Sequence, residues 1–226
     1  TAYEITYGDW SSDVCSSDLD FRQASSDLII QNTSIQSAGA ALSAQASQGS
    51  VMLDQASIDL SGATTGGYAA LDGNRLDIRN SFISTSGSSD GGVIAIGKRQ
   101  SLPASVNIAD SSLTADPPSQ GGVIQIDGGL IAISGTSALN IYGSSGGSLQ
   151  IGSTNTASLQ LAGTVQILSG PTASLVYLTA PVATTSTSTS ASSPSITSAD
   201  YTVQPALSTS TFTTLARSEE HTSELQ

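Results

Sequence analysis

One short pattern is written twice in the middle of this chain, and it decides what the chain can fold into. Gly91-Gly92-Val93-Ile94-Ala95-Ile96-Gly97 opens one copy, and Gly121-Gly122-Val123-Ile124-Gln125-Ile126-Asp127 opens the next. Behind each comes an apolar pair with four residues between its members, Ile108/Leu113 and then Ile133/Ala138. The same pair recurs at Ile30/Ile35, Leu53/Ile58 and Ile78/Ile83, so the copies are spaced by 23, 25, 30 and 25 residues. Self-similarity at such a period marks a repeat protein.

Helical repeats need ten or more residues with apolar positions three and four apart. Here apolar residues alternate instead, as in Val93, Ile94 and Ile96, Leu149 and Ile151, and Leu159 and Leu161. Short Ile- and Val-rich runs bounded by Gly, Ser, Asp and Asn read as strands. A repeat of this length holding two or three such strands has the size of one coil of a parallel β-helix. A lone coil would bury only a handful of aliphatic side chains, at about 1.5–3 kcal/mol each. Ordering its backbone costs about 1–2 kcal/mol per residue. Coils must therefore stack, sharing main-chain hydrogen bonds and one continuous core.

The two ends stand apart. Arg217 to Gln226 can be written in codons that resemble a common sequencing-library adapter, and Asp9 to Leu19 in codons that resemble its reverse complement. Thr1 to Ile5 fits the primer that precedes it, with Thr6 to Gly8 as a variable index. Residues 1–19 and 217–226 are accordingly expected to be adapter-derived and unstructured, and the natural start to lie elsewhere. Cys15, Trp10, His221 and every Glu fall inside these segments.

Between them, Asp20 to Ala216 holds eleven Asp against Arg22, Arg75, Arg79, Lys98 and Arg99, a net charge of −6 where the full chain has −12. That acidity argues against nucleic acid or an anionic membrane as partner. The absence of Cys here fits export by a route that avoids thiols, and no apolar run is long enough for a membrane span.

Residues 20–180 are read as the β-helix repeats, about six coils cut from a longer array. Ala40 to Ala46 is read as a loop or a short helical stretch between coils. Lys98-Arg99-Gln100-Ser101-Leu102-Pro103 carries the extra length of the 30-residue repeat and should leave the stack as a loop. Two places after the first apolar residue come Asn32, Gln55, Asn80 and Asp110, which stack either as a hydrogen-bonded ladder or as exposed turn residues. Residues 181–216, rich in Ser and Thr, are read as a flexible linker or tail.

Little catalytic chemistry is on offer. Gly143-Ser144-Ser145-Gly146-Gly147 satisfies Gly-x-Ser-x-Gly, but a nucleophile elbow needs a histidine base, and none lies in 20–216. Cys/His zinc sites fail likewise, and Gly62 to Gly67 lacks the lysine of a phosphate-binding loop. Paired carboxylates drawn from Asp54, Asp59, Asp77, Asp90, Asp110, Asp116 and Asp127 remain possible across stacked coils, with Arg75, Arg79 or Lys98 as the accompanying base. Glycoside hydrolysis would need two of them about 5 Å or 6.5–9.5 Å apart in a groove. Turn formation already accounts for Asp72, Asp90 and Asp127, each followed by Gly. No residue is assigned a catalytic, cofactor-binding or metal-ligating role.

The run Gly91 to Gly97, then Asn107 to Asp116, Gly121 to Ile126 and Ile141-Tyr142-Gly143 resembles the passenger repeats of filamentous-haemagglutinin-like exoproteins. The resemblance implies an all-β, right-handed parallel β-helix, with two-partner secretion through an outer-membrane transporter. It also implies a place outside the cell or on the bacterial surface, and adhesion to a host or neighbouring-cell protein or glycan. The family's amino-terminal secretion domain is not visible here. Other β-helices are polysaccharide lyases or glycosidases, and an S-layer or matrix component is a third possibility.

Overall fold

A computed structural model describes residues 3–6, 9–11, 18–97, 102–117, 119–152, 156, 158–169, 175–178, 182–184 and 201–205. Period-two alternation between turn residues makes strands, and the described residues contain no helix. Six successive coils run through 19–36, 41–59, 68–84, 93–114, 120–141 and 145–169, each laying one strand segment on each of three faces. Every pairing is parallel and joins one coil to the next. Strands Ala41–Asp54 and Tyr68–Arg79 run unbroken round the first corner, so the first two faces form one 13-stranded sheet. The third face is a separate sheet of eight strands. The chain is a parallel β-helix.

The expected apolar pairs are two columns of the core. Ile30, Leu53, Ile78, Ile108, Ile133 and Leu161 are paired in sequence along the second face, and Ile35, Ile58, Ile83, Leu113, Leu139 and Ile167 along the third. All are buried. One member differs from the sequence reading: Leu139, not Ala138, enters the core beside Ile133, because that coil has one more residue at its corner, where Gly135 and Thr136 fall. The 30-residue repeat keeps register on both sides of its extra residues. Four positions separate Leu71 from Arg75, nine separate their partners Ile96 and Ser105, and the surplus falls in the segment expected to loop. Lys98 to Ser101 lie outside the described residues.

One expectation is corrected. Ala40 to Ala46 is neither loop nor helix: Ala41–Asp54 is a strand whose Leu42, Ala44 and Ala46 are buried, because pairing on both sides overrides the weak strand preference of alanine. At one end of the stack Tyr3–Thr6 pairs with Leu28–Gln31, Asp9–Ser11 with Ser34–Gln36, and Leu19 with Leu42. At the other, Val182–Thr184 and Tyr201–Pro205 add strands to the second and third faces. An open parallel edge offers unpaired N–H and C=O groups to whatever chain comes next, whatever its composition.

Candidate functional site

The corner between the second and third faces is where polar side chains gather. Its first position is left-handed in every coil from the first to the sixth: Asn32 (φ 49°), Gln55 (53°), Asn80 (48°), Asp110 (49°), Gly135 (66°) and Gly163 (80°). For residues with a Cβ this conformation costs roughly 1–2 kcal/mol, less for Asn and Asp. The ladder foreseen at these positions is therefore a backbone one. Asn32, Gln55 and Asn80 donate their N–H groups to Asp54, Arg79 and Ala109 carbonyls at 3.0–3.1 Å, while their side chains are exposed.

The hydroxyls that lock this corner lie inside, and sequence reasoning missed them. Ser81, Ser111 and Ser137 are buried, and each donates Oγ–H to a carbonyl two or three residues back, at 2.6–2.7 Å. Their Oγ atoms accept N–H groups from the coil before, Ala56 to Ser81 at 3.1 Å and Ser81 to Ser111 at 3.1 Å. A serine in a turn-rich segment reads as solvated. The available signal was its place one or two residues after the left-handed residue.

Outside this corner runs a shallow groove of about 370 Å³, lined by Gln55, Ser57, Asn80, Phe82, Asp110 and Thr136 among others. Phe82 is 39% exposed at its edge. Asp110 is held by the Thr136 N–H, which donates to Oδ1 at 2.9 Å. Asn80 Nδ2 lies 3.5 Å from Asp54 Oδ1. The groove lining contains one carboxylate and no basic residue.

The other acids are dispersed and engaged. Asp77 takes two hydrogen bonds from Arg79, at 2.6 and 2.7 Å, and one from Asn107 at 2.9 Å. Arg79 is thus tied to a carboxylate of its own strand, and Arg75 is exposed. Lys98 lies outside the described residues. Asp59 accepts the Ser61 N–H at 3.0 Å, and from Ser61 a side-chain relay crosses coils through Ser84 and Ser86 to Asp116, whose other oxygen accepts from Asn140 at 2.8 Å. Asp90 sits in isolated bridges to Thr65 and Gln120, and Asp127 is buried in register with Gly152 beyond Ile126 and Ile151. The seven acids considered above occupy seven different columns of the stack. Among the described residues no group of three or more His, Cys, Asp or Glu could hold a metal ion. Ser145 opens the strand Ser145–Ile151, paired to Gln120–Ile126. No described helix is long and apolar enough to cross a membrane.

These features define a parallel β-solenoid with a polar corner groove. No family model, curated protein or solved structure matches the chain.

Proposed function

We propose that the chain is a non-enzymatic piece of a secreted or surface-exposed bacterial adhesin of the filamentous-haemagglutinin-like kind, serving as a β-helical stalk that displays adhesive faces. What supports the reading is parallel pairing carried on through six coils, each presenting the same three faces, which suits a rod of extensible length. The partner is a protein or glycan on a host or neighbouring cell, and a dedicated outer-membrane transporter would export the parent protein. A β-helical lyase or glycosidase is the second reading, favoured only by the groove with Asp110 on its wall.

One experiment separates them. Beads coated with the chain are offered to epithelial and bacterial cells, and the free chain is incubated with a panel of polysaccharides. The adhesin reading expects saturable attachment that soluble chain competes away, and no release of reducing ends. Product release without attachment would replace it with the enzyme.

A further inference from the structure

The corner groove breaks the pattern of its outer column and carries polar side chains on left-handed backbone beside it. Along the outer edge of the third face the stacked positions are Ser34, Ser57, Phe82, Ser112 and Ala138, then Gln166, so one aromatic ring stands, 39% exposed, in a row of small or polar residues. Along the adjoining left-handed column Asn32, Gln55, Asn80 and Asp110 take the strained backbone with a Cβ and Gly135 and Gly163 without one, and three of those four polar side chains line this groove. Folding alone would favour Ser in place of Phe82 and Gly at the left-handed positions. Strain kept at an exposed position points to a use for the side chain.

We infer that this groove binds a neutral polysaccharide lying along the solenoid axis, with one sugar ring against Phe82 and its hydroxyls bonded by the Gln55 and Asn80 amides and the Asp110 carboxylate. A sugar ring presents an apolar C–H face and a rim of hydroxyls that both donate and accept. An aromatic plate answers the first, and amides with a carboxylate answer the second. The coils repeat at about 4.8 Å, close to the length that one sugar residue adds to an extended chain, so successive coils can address successive sugars. The net charge of −12 and the Asp110 carboxylate repel anionic polysaccharides and leave neutral ones.

The assignment deepens the adhesive reading and rests on it, yet the two fail separately. Cell attachment that survives Phe82→Ser keeps the adhesin and removes the groove, while polysaccharide binding without cell attachment does the reverse. The test is affinity electrophoresis of the full chain in native gels cast with galactomannan, xyloglucan or dextran, with polygalacturonate as the charged comparison. Retention by at least one neutral polymer is expected, weakened about tenfold in Phe82→Ser and in the double variant Gln55→Gly/Asn80→Gly. Both variants should keep or raise the thermal midpoint, because each installs the residue that its column uses elsewhere; should the double variant unfold, Phe82→Ser alone decides. Retention only by polygalacturonate, no retention by any neutral polymer, or retention indifferent to Phe82→Ser overturns the assignment.

Discussion

Ser111 shows how much one hydroxyl can hold at a corner. Its Oγ donates to the Ala109 carbonyl and accepts the Ser81 N–H, so Ser111→Ala leaves that buried N–H unpaired. The cost should be about 1–3 kcal/mol, read as a lower midpoint in chemical denaturation. Thr85 is the converse. It is fully buried, its Oγ1 has no hydrogen-bond partner, and its neighbours along the stack are Leu60 and Ala115. Thr85→Val keeps the shape and removes the unpaired oxygen, so it should stabilise by about 1 kcal/mol; a lower midpoint would mean that the hydroxyl has a partner after all. Neither residue was legible as structural in the sequence. Polar type suggested a turn, and only the coil-to-coil register placed them inside.

At the scale of the element, the Gly-Gly pair that opens each signature is a requirement of packing. Gly92 donates to the Thr85 carbonyl at 2.7 Å where the chain passes from the third face back to the first. A Cβ there would lie 2.1 Å from the Gly67 carbonyl oxygen and 2.3 Å from that of Thr85. Gly92→Ala should therefore cost about 1–3 kcal/mol or more and speed proteolysis of the strands on either side. The strands were legible because Ile and Val alternate with polar residues. Ala41–Asp54 was not, since small residues facing a narrow core carry no β-preference of their own and take strand form from their neighbours. Of the true side-chain contacts between coils, Gln125 to Gln150 at 3.1 Å joins paired strands, and Asp116, just past the strand Ser112–Thr114, accepts from Asn140. Gln125 and Gln150 hold the same place in matching segments, Gly121 to Ile126 and Gly146 to Ile151, so that ladder was open to a reading of the repeat, whereas Asp116 and Asn140 sit in dissimilar contexts.

For the whole molecule, the repeat spacing specified the architecture, because coils of similar length stack in register and the surplus of the longest falls between Ile96 and Ser105. The candidate groove was only half legible: its left-handed column was visible as a recurring polar position, whereas Phe82 passed as an ordinary strand residue. The adapter-like reading of 1–19 bears on this scale too. If those residues pair only because an open edge accepts any chain, a protein starting at Asp20 should keep its all-β circular dichroism, with a denaturation midpoint close to that of the full chain. Loss of the β signal would make the segment integral.

Contacts in such a stack run only between adjacent coils, so stability should be graded along the axis. A central coil is paired on both sides and opens only by breaking two interfaces, while a terminal coil breaks one. Native-state hydrogen exchange should therefore be slowest for Ile94, Ile96, Val106 and Ile108, all buried between paired neighbours. It should quicken toward Leu19–Gln23 at one end and Ser158–Leu161 at the other, where the flanking strands are few or short. Ile108→Ala, which empties a central core position at about 2–5 kcal/mol, should collapse this gradient by uncoupling the coils on either side, whereas the same change at Ile167 should leave the central amides slow. Equal exchange rates from end to end would show one cooperative block, and nearest-neighbour stacking would then not be what holds the molecule together.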